Sequence, residues 1–169
     1  MKAIHNSRAL RRYPQLIANH LLRYIFESYS QLGIHKNADR RDLAHNTSIG
    51  ETLGKNGYAV EIREHLEDST PNPELMINGV LSDVKSPKLA YSLDSRLQSA
   101  INRQGLNNVV FEVTKRESVD ALTKGLKRGF HNRSKIEWVD VVFGETAVRI
   151  TRAMYERGVI SKELQKLYK

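Results

Sequence analysis

The sequence predicts an α/β protein in which helices flank a mixed β-sheet, preceded by an N-terminal helical appendage. Short apolar runs typical of strands alternate with apolar residues at helical spacing, and two turn signals mark hairpins. Hydrophobic residues make up 40% of the 169 residues, which is enough for one full core. We therefore expect a helical segment over residues 1–47 and an α/β domain over residues 48–169.

The first half of the chain begins with two predicted helices. Apolar residues at helical spacing lie between Pro14 and Gly33, which suit the first turn and the end of a helix. Ser48 and Glu51 match a capping box, which would open a short helix through Leu53. The polar stretch before this box, residues 35–46, is expected to be a linker or a weakly packed helix.

A β-hairpin is the clearest signal in the middle of the chain. Two short apolar runs flank Asn78-Gly79, the strongest two-residue hairpin signal. In chain order, the patterns predict a strand at 58–62, hairpin strands at 75–77 and 80–84, a helix at 93–104, a strand at 108–113, a helix at 119–130, a second hairpin at 136–143 and 147–150, and two short C-terminal helices.

The net charge of +8 and the pI near 9.8 favour a polyanionic partner. The charge is uneven: residues 1–50 carry +5, residues 51–83 carry −5, and residues 84–169 carry +8. An acidic segment between two basic ones is typical of a carboxylate metal site beside a phosphate-binding surface, and also of a solvated acidic loop. Composition alone leaves both open.

Composition also excludes several classes. There is no cysteine, so disulfides and thiolate metal sites are ruled out. No apolar run reaches the length of a membrane span, and no leader-like segment is present. We expect a protein that acts in the cytoplasm, without a membrane partner.

The segment from Pro73 to Lys85 carries the candidate chemistry. The hairpin would return the chain so that Glu74 and Asp83 converge, while Asp83 and Lys85, two residues apart, share one face of a strand. Two carboxylates suit Mg²⁺ or Mn²⁺, which would polarise a phosphate and activate water. The lysine would orient that water or stabilise the developing charge.

This pattern, Pro-Glu, eight residues, then Asp-x-Lys, resembles the PD-(D/E)xK nuclease motif with both acids exchanged. The resemblance covers residues 48–113 and includes the helix-strand-strand-strand-helix-strand order. It implies Glu51, Glu74 and Asp83 as metal ligands, with Lys85, Asp83 and Glu74 catalytic. A capping-box role for Glu51 explains that residue equally well.

A narrower resemblance involves the residues around this motif. Asn56-Gly57-Tyr58, the Ile77-Asn78-Gly79 turn, Asp83-x-Lys85-x-Pro87 and Gln104 before the next strand are similar to the C-terminal nuclease domains of contact-dependent growth inhibition toxins and to related phage and mobile-element domains. The resemblance implies an RNA-directed, often tRNA-directed nuclease. It also implies delivery from another cell and a partner immunity protein.

Four further residues are candidate nucleic-acid contacts. Gln104 lies on the helix after the motif, where such nucleases often carry a polar residue. Lys127, Arg128 and Arg133 cluster near the end of the next predicted helix, where they suit phosphate binding or complement the helix dipole.

Two alternative functions stay open. One is a metal-independent ribonuclease toxin of the barnase or colicin kind, which would rely on Lys85, His131 and Thr151. The other is a nucleic-acid-binding module of a mobile element, without turnover.

Overall fold

The computed structural model describes residues 32–35, 38, 41–63 and 72–169. Within them the chain forms a mixed α/β fold with a seven-stranded sheet. The strands are β1 (Leu32–Ile34), β2 (Val60–Ile62), β3 (Leu75–Ile77), β4 (Val80–Lys85), β5 (Asn108–Glu112), β6 (Trp138–Phe143) and β7 (Thr146–Thr151). The helices are α1 (Leu43–Lys55), α2 (Leu93–Gln104), α3 (Val119–Asn132), α4 (Arg152–Glu156) and α5 (Ile160–Leu164), with 3₁₀ turns at Ala90–Ser92 and Gln165–Tyr168.

The strands lie side by side in sequence order. The three strands β2, β3 and β4 form an antiparallel meander, while β4, β5 and β6 are parallel and are joined by α2 and α3. The two edge strands are β1, which pairs parallel to β2, and β7, which pairs antiparallel to β6. The predicted fold class and the order from α1 to β5 are therefore confirmed.

Helices cover both faces of the sheet. On one face, α1 packs through Ile49 and Leu53 against a core that includes Val84 and Val110. On the other face, α2, α3 and α5 pack over a core that includes Phe111. Successive strand residues alternate between these two faces, which decides where each polar side chain of a strand can act. None of the described helices is both long enough and apolar enough to span a membrane.

The start of the fold differs from the prediction. Leu32 and Gly33 belong to strand β1, whereas the sequence predicted the end of a helix there; the rest of that predicted helix lies outside the described residues. Pairing with β2 overrides the local helical pattern. The predicted boundary at residues 47 and 48 falls inside α1, because this helix begins at Leu43.

The capping-box prediction was wrong. Ser48 lies in the middle of α1, and Asp42 occupies the N-cap position without a side-chain capping hydrogen bond. A real N-cap serine appears elsewhere: Ser118 accepts a hydrogen bond from the Ala121 N–H at the start of α3.

Candidate active site

The β3–β4 hairpin brings together the residues of the predicted motif. Asn78 and Gly79 have φ angles of 51° and 79°, the left-handed pair that a tight hairpin turn requires. The register pairs Leu75 with Ser82, so Glu74, one residue before the strand, lies opposite Asp83. Convergence of these two acids is thus a direct consequence of a two-residue turn.

Asp83 and Lys85 extend from the same face of β4. The register places them beside Val109 and Phe111, on the face that α2 and α3 cover. The Asp83 side chain is buried, with 2% of its area exposed, and its Oδ2 atom pairs with the Lys85 ammonium. The Lys85 side chain as a whole is 22% exposed. The site therefore has a buried carboxylate and a cation that solvent reaches.

Glu74 is held by the neighbouring backbone. The Val84 N–H donates to Glu74 Oε2 at 3.0 Å, which fixes this carboxylate against β4. Burial raises the pKa of Glu74, and the negative charge of Asp83 raises it further; the Val84 hydrogen bond and Lys85 oppose both. The site therefore resists two full negative charges.

The buried Asp83 Oδ2 atom lacks a hydrogen bond of suitable geometry, although it is ion-paired with Lys85. An acceptor in this state and a nearby carboxylate of raised pKa are both stabilised by an added cation. Two carboxylates are a sufficient protein contribution for Mg²⁺, which usually keeps several waters. The residues present therefore fit a divalent metal.

Glu51 is not part of this arrangement. It is exposed on α1, and its charge acts on Lys55, one turn further along the helix. The helix α1 packs on the opposite face of the sheet from Asp83, which explains the separation. Its first residues come nearer: the charge of Asp42 contributes to the raised pKa of Glu74. No group of three His, Asp or Glu side chains suited to a metal occurs among the described residues.

Gln104 has a structural role in the site. Its Oε1 atom accepts a hydrogen bond of 2.7 Å from the Asn72 N–H, two residues before Glu74. This contact ties the end of α2 to the segment that enters β3. The side-chain oxygen that the sequence offered for nucleic acid is bonded to the Asn72 backbone in this structure.

The three basic candidates separate into two groups. Arg133 forms an ion pair with Asp94 of α2 and keeps only 14% of its side chain exposed, so it is a link between helices. Lys127 and Arg128 are exposed on α3. The helix α3 starts near the ends of β4 and β5, close to Lys85, and ends near Arg152. Lys127 and Arg128 lie in its second half and are therefore distant from Lys85.

The residues of the metal-independent alternative do not come together. Thr151 caps α4 by accepting from the Met154 N–H, and His131 lies 3.4 Å from the Tyr155 hydroxyl. Thr151 pairs with Trp138 at the start of β6, whereas Lys85 lies at the end of β4, which is parallel to β6 in the sheet. The two residues are therefore at opposite ends of the parallel strands. The structure contradicts this set as one catalytic centre.

A polar cluster that the sequence analysis missed lies beside Lys85. Ser86 Oγ donates to Glu112 Oε2 at 2.7 Å and is 3.3 Å from His45 Nε2. His45 Nε2 is also 3.6 Å from Glu112 Oε2. Ser86 directly follows β4, and Glu112 is the last residue of the parallel strand β5. Ligands of α/β proteins often bind at the carboxyl ends of parallel strands, and this rule could have identified both residues from the sequence. His45 lies in the stretch that the sequence predicted to be a linker or a weakly packed helix, and the structure places it on α1.

A second missed cluster lies within the sheet. Arg149 donates from Nε and Nη2 to the two oxygens of buried Asp140, both at 2.8 Å, and its guanidinium lies 4.8 and 4.7 Å from the ring centres of Tyr58 and Trp138. Burial raises the pKa of Asp140 despite Arg149, and raises that of Tyr58 to about 12. The guanidinium is engaged by a buried carboxylate and two aromatic rings, so this cluster is structural.

The fold has a known counterpart. It is similar to a chain of the CdiA-CT/CdiI toxin and immunity complex from Burkholderia pseudomallei, with a TM-score of 0.51 and 19% sequence identity, over 66% of this chain and 85% of that chain. No protein-family model and no curated protein matches the chain. At this identity the likeness shows the fold alone, which agrees with the fold that the toxin resemblance implied.

Proposed function

We propose that this protein is a metal-dependent endonuclease of the toxin type that hydrolyses phosphodiester bonds in RNA, with tRNA-like molecules as favoured substrates. The observation that carries the proposal is the convergence of Glu74 and Asp83 next to Lys85. The fold it shares with a chain of a toxin and immunity complex supports the toxin class and an immunity protein as a partner. Delivery from another cell and action in the cytoplasm belong to the same proposal.

Each residue of the centre has a distinct task. Glu74 and Asp83 would hold Mg²⁺ or Mn²⁺, and Asp42, the N-cap residue of α1, is a further carboxylate whose charge acts on Glu74. When bound, the metal polarises the scissile phosphate and makes a water more acidic. Lys85 is the exposed cation of the centre, so it can turn from Asp83 to stabilise charge on the phosphate.

The basic composition supports a nucleic-acid substrate. The chain carries 27 Lys and Arg against 19 Asp and Glu, and the excess favours phosphate binding without selecting a sequence. The same excess would serve a module that binds nucleic acid without cleaving it. Turnover is therefore the property that the experiment must measure.

The test is incubation of the full chain with total RNA, purified tRNA and plasmid DNA, with Mg²⁺, with Mn²⁺ or with EDTA. We expect metal-dependent RNA cleavage that falls by at least about 100-fold in Asp83→Asn and Lys85→Ala. Lys124→Ala is the matched control, because this exposed lysine pairs with Asp120 on the same helix, α3. Full activity in EDTA would refute the metal centre, and RNA binding without any cleavage would favour the non-catalytic module.

A further inference from the structure

His45 has a defined tautomer because of its two polar neighbours. The Ser86 hydroxyl has one proton, and the 2.7 Å contact directs it to Glu112. Ser86 Oγ therefore accepts from His45, which must carry its hydrogen on Nε2. In the neutral ring, Nδ1 is then left with a lone pair.

Within the described part of the chain, the Nδ1 atom is available to a ligand. None of the described residues forms a hydrogen bond with it, and 43% of the His45 side chain is exposed. The same network excludes a serine nucleophile of the Ser-His-Asp kind. Ser86 donates its hydrogen bond to Glu112 and not to His45. Glu112 also lies next to Nε2 of His45, whereas the acid of such a triad orients the histidine through Nδ1. The cluster is built to present an acceptor.

The position of His45 relates it to the proposed active site. Ser86 directly follows Lys85 at the end of β4, so the two residues lie at the same strand end, with their side chains toward opposite faces of the sheet. Asp42, whose charge reaches Glu74, is three residues before His45 and thus about one helical turn away. A polynucleotide that crosses the end of β4 would meet both groups.

The chemistry of the lone pair selects the substrate group. Phosphate oxygens only accept hydrogen bonds and cannot pair with a neutral Nδ1, whereas the ribose 2′-hydroxyl donates. We propose that His45 is a specificity-determining residue that accepts a hydrogen bond from a substrate 2′-hydroxyl and so favours RNA over DNA. This inference rests on the proposed function, since it places the substrate across the end of β4.

The experiment measures binding without turnover. In the Lys85→Ala background at pH 8, where histidine is ordinarily neutral, the dissociation constants of a single-stranded RNA and of DNA of the same sequence are determined by fluorescence anisotropy. We expect His45→Phe to weaken RNA binding about three- to tenfold, the effect of one half-exposed hydrogen bond, without changing DNA binding. His45→Gln, which keeps an acceptor, should restore part of the loss. The control is His131→Ala, in the last turn of α3 next to Tyr155, which should change neither.

A second measurement changes the RNA, so that affinities are compared between substrates on the same protein. The Lys85→Ala protein is tested with RNAs that each carry one 2′-deoxy nucleotide. Removal of one particular 2′-hydroxyl should weaken binding by the same factor as His45→Phe does. When His45→Phe is added to the Lys85→Ala protein, the loss at that nucleotide should vanish. An RNA preference that survives His45→Phe would refute this inference and leave the nuclease proposal standing. A His45 contribution that appears only at pH 6, for RNA and DNA alike, would assign the residue to phosphate and also refute it. Failure to bind either nucleic acid would overturn both proposals.

Discussion

At the scale of single residues, Glu74 balances opposing effects. Its carboxylate is partly buried next to Asp83, while the Val84 N–H and Lys85 favour its charged form. The net effect is a raised pKa, so the charged site costs folding free energy when no cation is bound. Such a conflict between stability and charge is typical of a site arranged for a ligand.

The pH dependence of stability tests this balance. Because the folded pKa of Glu74 lies above the usual 4.5, its contribution to stability is complete below pH 4.5 and is lost as the pH rises through the folded pKa. Glu74→Gln keeps an acceptor for the Val84 N–H and has no charge. In EDTA, urea unfolding should show the variant to be more stable than the wild type at pH 8 and equal to it near pH 4.

Glu145 gives a control of opposite sign. It is exposed, and the hydrogen bond from Lys55 lowers its pKa. Glu145→Gln should therefore leave stability at pH 8 unchanged or slightly reduced. A Glu74→Gln protein that is less stable than the wild type at pH 8 would mean that the Glu74 carboxylate is a structural partner.

At the scale of secondary-structure elements, the contact between α2 and α3 depends on two glycines. A Cβ atom on Gly125 would lie 2.6 Å from the backbone oxygen of Ala90, and one on Gly129 would lie 2.3 Å from Leu97 Cδ1. The first obstacle is backbone just before α2, and the second is the end of a side chain that can rotate. Because α2 also carries Gln104, this contact positions the segment around Glu74.

Alanine substitutions should rank accordingly. Gly125→Ala should lower the free energy of unfolding by about 1–3 kcal/mol, and Gly129→Ala by less, since Leu97 can change rotamer. Gly54→Ala is the matched control in α1, where a Cβ meets nothing within 4 Å, and should stabilise by about 0.5–1 kcal/mol. Urea denaturation of the three variants checks the order, and equal effects at Gly125 and Gly129 would contradict it.

The pair of Asp140 and Arg149 joins β6 to β7. Arg149→Ala would leave the fully buried Asp140 carboxylate without its cation, so we expect a loss of about 3–5 kcal/mol in the free energy of unfolding at pH 7. Asp140→Asn together with Arg149→Ala should recover part of this loss, because no buried charge remains. Thermal unfolding of both variants is the measurement; equal losses would show that packing of Arg149 against the aromatic rings dominates.

At the scale of the whole molecule, exposed basic residues lie along α3, while the acidic centre lies at the end of β4. Lys127 and Arg128 are exposed along α3, and Arg133 is engaged with Asp94. A polynucleotide held at Lys85 would need to follow α3 to reach the first two. The charge pattern alone does not decide whether it does.

A salt series decides between these roles. If α3 carries phosphates, Lys127→Ala and Arg128→Ala in the Lys85→Ala background should each reduce the slope of log affinity against log salt by about one unit. Arg133→Ala should instead lower the thermal stability and leave the slope unchanged. Unchanged slopes for Lys127→Ala and Arg128→Ala would remove α3 from the substrate path.

The sequence by itself determined the α/β class, the order from α1 to β5 and the opposition of Glu74 and Asp83. These follow from local rules: Asn78-Gly79 sets the hairpin register, and alternation along β4 puts Asp83 and Lys85 on one face. Tertiary structure decided the rest. Glu51 has a favourable local pattern, but α1 packs on the other face of the sheet.

Long-range contacts also changed the roles of residues that the sequence could only classify as polar or basic. The helix α2 carries both Asp94 and Gln104. Gln104 bonds to the Asn72 backbone and Asp94 pairs with Arg133, because α2 passes close to these two residues. Residues 45, 86 and 112 form one cluster only where α1 meets the ends of two parallel strands. Spacing along a strand is fixed by bond geometry, whereas these meetings depend on how helices pack on the sheet, which no local pattern encodes.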